Sequence, residues 1–269
     1  MDGIPIHEEH VTSLEHVAEN VLGLRIAFVN VFAVTYNDGS WTLIDAGLPF
    51  TADQIRRWMP TFTDQPPDAI ALTHGHFDHV SAARELADEW KVAVYAHRLE
   101  FPYLTGEKEY PPPNVGAMGG AMSLLSPLYP RGPIDLSDRL CEYSDTSFSP
   151  MPGWTVIHTP GHTPGHVSFF READRCLIVG DAFCTTKPES FFDAAITQQP
   201  ELHGPPAYFT SDWNAARESV QRLAEMEPAI VAPGHGQPLR GESVASQLHM
   251  LVKKFDEIAI PENRKDEAA

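Results

Sequence analysis

Cysteine is scarce. Cys141, Cys176 and Cys184 are too few, and too odd in number, for a disulfide framework, and they suit a reducing compartment. Positive charge is scarce too: 19 lysines and arginines stand against 37 aspartates and glutamates, a formal net charge of −18. Nucleic-acid binders carry a basic stripe and anionic membranes repel an acidic surface, so neither partner is expected. Long apolar runs are missing as well. The longest, Val21 to Val34, is too short to span a bilayer and is interrupted by Arg25 and Asn30. The opening MDGIPIHEEHVTSLEH has neither the basic start nor the apolar stretch of a secretory signal, which leaves a soluble cytoplasmic protein as the expectation. Short repeats of solenoid period are absent.

What is present is a chain of 269 residues, 42% apolar, long enough to bury a large core. Strands and helices alternate along it. Ile26–Val34 and Trp41–Asp45 read as strands joined by a turn at Asn37-Asp38-Gly39, followed by a short helix over Thr51–Met59 with Thr51 as N-cap. Ala69–Leu72, Val92–Ala96, Trp154–His158, His166–Phe170, Cys176–Val179 and Ile230–Ala232 are further apolar strands. Helical spacing marks Ser81–Trp90, Ser211–Met226 with Ser211 as N-cap, and Val244–Phe255. The pattern predicts an α/β fold in one domain over residues 1–269. It is broken once, at about 105–135, by a Pro- and Gly-rich insertion. Loops of that length inside a compact domain are usually either functional or disordered. Met118, Met122, Leu124 and Leu128 make this one too apolar for a solvated linker, and the expectation is a lid or pocket wall with a short helix near 117–125. A contact within a homo-oligomer is the competing expectation.

The chemistry-bearing signal is Thr73-His74-Gly75-His76-Phe77-Asp78-His79, directly after the strand Ala69–Leu72. Alternate residues of an extended segment point the same way, so His74 and His76 project together, and Asp78 and His79 follow as the chain turns into a helix. Imidazole and carboxylate donors together suit zinc, iron or manganese, not calcium or magnesium. His162 in Thr159-Pro160-Gly161-His162, Asp181 in Gly180-Asp181, and His235 in Pro233-Gly234-His235-Gly236 each follow another apolar strand. One sheet edge would gather all of them, which core packing alone does not explain.

With Leu43-Ile44-Asp45-Ala46-Gly47 added, these elements resemble the metallo-β-lactamase superfamily, in the family's order, over residues 43–235. The resemblance implies a four-layer αββα sandwich. It also implies two divalent ions, zinc before iron or manganese. His74, His76 and His162 match the first metal position, Asp78, His79 and His235 the second, with Asp181 bridging. Asp45 matches an aspartate that orients a ligand histidine. Two ions roughly 3.5–4 Å apart would share a hydroxide, with Asp78 orienting it and carrying its proton. That is metal-assisted hydrolysis of an ester, lactone, thioester or amide in a small-molecule substrate.

Within the family, Asp181 argues against a true β-lactamase. The short stretch after His235 argues against a glyoxalase II with its helical C-terminal domain, and the acidity against the RNA-processing branch. Gly161-His162-Thr163-Pro164-Gly165-His166 resembles the lactonase version of the motif, but Cys184 stands where that branch usually has tyrosine. Cys184 is therefore a pocket candidate. The alternatives are a mononuclear-iron persulfide dioxygenase-like oxidoreductase and a non-catalytic binding module on the same scaffold.

Overall fold

The computed structural model describes residues 3–116, 124–130, 134–143, 150–188, 190 and 200–262. In chain order the strands are β1 (Ile4–Pro5), β2 (Val21–Ile26), β3 (Val29–Thr35), β4 (Trp41–Ile44), β5 (Ala69–Ala71), β6 (Ala93–Ala96), β7 (Leu140–Glu142), β8 (Trp154–His158), β9 (Val167–Arg171), β10 (Cys176–Gly180), β11 (Glu201–Leu202), β12 (Ile230–Pro233) and β13 (Leu239–Arg240). They form a six-stranded sheet in the order β2-β3-β4-β5-β6-β7, a five-stranded sheet in the order β13-β12-β10-β9-β8, and a small β1-β11 pair. Among the described residues no helix is long and apolar enough to cross a membrane.

Side-chain alternation builds the layers. On β3, Phe32 and Val34 face the second sheet, while Val31 and Ala33 face outward. On β5, Ala69 and Ala71 point inward and Ile70 outward. The second sheet repeats the pattern: Cys176, Ile178 and Ala232 share the inter-sheet core, while Leu177, Val179 and Val231 point away. Both faces of each sheet are thus apolar, so each needs a second cover. Helices α1 (Ala52–Trp58) and α3 (Ala83–Trp90) cover the first sheet, contributing Ile55 and Leu86. Helices α5 (Trp213–Glu225) and α6 (Ser243–Lys253) cover the second, contributing Val220, Leu223, Leu248 and Leu251. Three cores between four layers make an αββα sandwich.

Two local expectations are corrected. The run Ile26–Val34 is not one strand but the end of β2, a two-residue turn and β3. Ala27 takes φ +57° there, the reversed backbone twist a tight hairpin needs, without the glycine or asparagine that normally announces it. The N-cap of α5 is Asp212 rather than Ser211: its carboxylate accepts the Ala215 N–H at 2.9 Å.

Candidate metal centre

Every candidate ligand sits just past the C-terminal end of a strand. His74 and His76 follow β5, and Asp78 and His79 lie in the short helix α2 (Phe77–Val80) that continues from it. His162 follows β8, Asp181 follows β10 and His235 follows β12. The two sheets are tied at this edge: the Val167 N–H donates to the Thr73 carbonyl across 2.9 Å.

The side chains converge in two groups. His74 Nε2 lies 3.1 Å from His76 Nδ1, which lies 2.8 Å from His162 Nε2. Asp78 Oδ2 lies 3.9 Å from His79 Nε2 and 3.5 Å from His235 Nε2. Asp181 stands between the groups. Its Oδ2 is 3.5 Å from His162 Nε2 and 3.1 Å from His235 Nε2, and its Oδ1 is 3.5 Å from His79 Nε2. All seven residues are buried.

Neighbouring groups fix which nitrogen of each ring faces inward. His79 Nδ1 donates to Asp45 Oδ2 at 2.8 Å, and His235 Nδ1 donates to the Phe28 carbonyl at 2.8 Å. The Thr210 hydroxyl donates to the Pro206 carbonyl and so accepts from His162 Nδ1 at 3.2 Å. The Thr73 hydroxyl donates to Asp45 Oδ2 and so accepts from His74 Nδ1 at 3.0 Å. In these four histidines the proton is held on Nδ1, and Nε2 presents a lone pair to the centre. Asp45 itself has φ +60°, a conformation aspartate tolerates better than most residues, and its Oδ1 also accepts the Thr73 N–H at 2.8 Å.

The residues fit metal ions. His79 Nε2 and Asp181 Oδ1 are buried without a hydrogen-bond partner, a costly arrangement that a cation between them would satisfy. Close nitrogen pairs in the first group put lone pairs against one another, which a shared cation also resolves. Burial, and then the neighbouring imidazoles, hold His74 and His162 well below the ordinary histidine range. Burial pushes His76 down to about 3. The second group is more anionic. Burial alone would lower His79, but the carboxylates of Asp181, Asp45 and Asp78 outweigh it and raise it well above its ordinary value. Burial raises Asp78. It would raise Asp181 too, yet His235 and His79 draw that carboxyl well below the usual range.

His166, beside the ligand loop, is buried and makes no contribution to either group. Its Nε2 accepts the Asp181 N–H at 2.8 Å, and its Nδ1 meets the Thr159 hydroxyl at 2.8 Å, so it holds Asp181 through the backbone. His158 stacks on His97 at 4.1 Å, and His203 pairs with Glu201 at 3.0 Å.

A cavity of about 220 Å³ opens beside α2, lined by Pro49, Phe77, Val80, Tyr103, Pro130, Ile134 and the neighbouring Gly75 and Ser81. Leu124 and Leu128 do not line it; they are 73% and 79% exposed, so the insertion reaches this cavity through Pro130 and Ile134 instead. Cys184 is buried and its backbone pairs with His203, also away from this lining. Met118 and Met122 lie outside the described residues. The insertion also brings aromatics: the Tyr110 ring packs against His76 at 4.5 Å and the Tyr129 ring against Phe77 at 5.2 Å. Sequence reasoning missed Tyr110 and its partner Glu100, a fully buried acid in a turn where an acidic side chain normally faces water.

Comparison with known proteins agrees with this geometry. The family model described as the metallo-beta-lactamase superfamily matches residues 24–235. The probable metallo-hydrolase YflN of Bacillus subtilis is 41% identical over 249 residues, covering 90% of this chain and 93% of its own length. A structure of TTHA1623 in a di-iron-bound form is 26% identical, with a TM-score of 0.53, covering 81% of this chain and 92% of that one. BJP-1, a subclass B3 metallo-beta-lactamase of Bradyrhizobium japonicum, is 18% identical, with a TM-score of 0.58 over 95% of this chain and 94% of its own.

Proposed function

The chain belongs to the metallo-beta-lactamase superfamily, and from that premise we propose that this metallo-hydrolase uses a dinuclear centre to hydrolyse an ester, thioester, lactone or amide bond of a small, neutral molecule. The observation that carries the reading is Asp181, one carboxylate facing His162 of the first group and both His79 and His235 of the second. His74, His76 and His162 would hold one ion, and Asp78, His79 and His235 the other.

The ions, when bound, supply a nucleophilic water near neutral pH and a Lewis acid for the scissile carbonyl. Zinc suits the donors best. Iron and manganese share the donor preference, and the likeness to a protein described in a di-iron form keeps iron in view. Asp78, within 3.5 Å of His235 and 3.9 Å of His79, would accept the proton of the attacking water and pass it to the leaving group. The apolar cavity beside Phe77 takes the substrate's acyl side. Its 220 Å³ falls below the roughly 300–1,000 Å³ of drug-sized sites, and among the described residues no charged side chain lines it.

The test is metal quantification together with hydrolysis of butyryl and succinyl esters, thioesters and lactones. Two ions per chain and turnover of the neutral substrates are expected, with Asp78→Ala lowering kcat at least ~10²-fold. One iron per chain with oxygen consumption would instead identify an oxidoreductase.

A further inference from the structure

Glu100 closes the short turn Arg98–Glu100 after β6 and is completely buried. Its Oε2 accepts the Gly75 N–H at 2.9 Å and its Oε1 accepts the Gly165 N–H at 2.7 Å. Gly75 lies between the ligands His74 and His76, and Gly165 lies in the loop that carries His162. One carboxylate therefore ties together the two loops of the first group. The Tyr110 hydroxyl donates to the same Oε2, while its ring packs on His76 and stacks on Tyr103 at 4.0 Å. The two glycines are what this arrangement requires. A Cβ on Gly165 would stand 2.7 Å from Glu100 Cγ, and one on Gly75 would run into the Tyr110 hydroxyl.

The charge is as informative as the contacts. Among the described residues no lysine or arginine pairs with Glu100, and a buried carboxylate with no cation is strongly unfavourable. Burial accordingly pushes its carboxyl upward. The three side chains of the first group are neutral imidazoles and bring no charge of their own. The missing cation and the missing anion lie on the two sides of the Gly75 peptide.

We propose that Glu100 is a positioning residue for the first metal position: it sets the separation of His76 from His162 and supplies the counter-charge that the three imidazoles lack. Its contribution is to the affinity of that position for a divalent cation, separately from the second. The inference rests on the metal-centre reading above.

The test is Glu100→Gln, which keeps the size but loses the charge and one of the two amide acceptors. Zinc-loaded wild type and variant are equilibrated with graded chelator, and retained zinc is counted per chain. The expected result is loss of one equivalent at roughly 10–100-fold lower chelator, the usual scale for a partner behind a ligand, with the other unchanged. The affected step should be the one that survives in His235→Ala. Parallel loss of both equivalents, or release at wild-type chelator, overturns the proposal. Should Glu100→Gln not fold, Tyr110→Phe keeps the ring and removes the hydroxyl. It should shift the same step several-fold, and an unshifted step refutes the idea equally. A wild type that takes up only one ion would break the dinuclear reading but still leave Glu100 to be tested on that ion.

Discussion

Phe28 and His235 meet across the two sheets: the Phe28 carbonyl accepts from His235 Nδ1 at 2.8 Å, and the two rings stack with centroids 6.0 Å apart. The β2–β3 turn therefore orients a candidate ligand more than two hundred residues away. Asn30, two residues on, completes the clamp. Its backbone N–H donates to the Gly234 carbonyl at 2.8 Å, and its side-chain amide donates to the Pro233 and Gly236 carbonyls, both at 2.9 Å.

The Asn30 side chain supplies two of these buried hydrogen bonds to the loop that carries His235. Asn30→Ala leaves two carbonyls unpaired and should cost about 2–3 kcal/mol. Asn30→Asp should be worse, because it turns a carboxylate toward those same carbonyls. Thermal melts of the two variants check the order, with Asn30→Asp expected to have the lower Tm.

Asp45 makes a second prediction. Its Oδ2 takes the Nδ1 proton of His79 and the hydroxyl proton of Thr73. Asp45→Asn presents an N–H₂ or a weaker carbonyl there and no longer holds the His79 lone pair on Nε2. Zinc affinity should fall roughly 10–100-fold. Chelator titration measures this, while circular dichroism should show an unchanged fold.

The layers and the cluster of candidate ligands were legible because each rests on short-range pattern. Apolar strands ending in glycine and histidine announce themselves, and the His74–His79 run needs no partner to be recognised. What lay beyond reach depends on residues distant in sequence. Asn30 reads as an interruption of an apolar stretch, yet it clamps Pro233 and Gly236. Glu100 carries no local signal, yet it is fully buried between the loops of His76 and His162. The turn at Ala27 carries no glycine, so nothing local marks it. In the insertion, apolar character pointed to Leu124 and Leu128. Hydrophobicity does not say which residues of a loop turn inward, and both are exposed.

His97 gives a pH prediction. Its Nδ1 accepts the Leu99 N–H at 3.3 Å, and its ring lies flat on His158. Burial, then the charges of His158 and Arg98, lower its pKa to about 4, against roughly 6.5 in an unfolded chain. Between those values the unfolded state binds the additional proton, so stability falls as pH drops from about 6.5 toward 4 and is unaffected above. The side chain is half-buried, so solvent screening leaves on the order of 1 kcal/mol, or roughly 2–4 °C in Tm. His97→Phe keeps a flat ring on His158 and should lose less Tm than wild type between pH 7 and pH 5.

The last prediction concerns the cavity beside Phe77. Under the proposed reading the seven candidate ligands set the reaction class but do not choose among acyl groups; that choice needs shaped apolar surface. Among the described residues Ile134 is the insertion's aliphatic contribution to that surface, which Val80 and Tyr103 also line. Ile134→Ala removes three carbons from the wall. One methylene in an apolar pocket discriminates by about 10-fold or more, so the preference for butyryl over acetyl esters should shrink by at least ~10-fold. The loss should appear in KM, with kcat and zinc content held, because the contact is made equally in ground and transition states. If the insertion served instead to join subunits, Ile134→Ala would change the mass seen by light scattering and leave the butyryl-to-acetyl ratio where it was. Measuring both quantities on one preparation separates a pocket wall from a subunit contact, since each alters only its own readout.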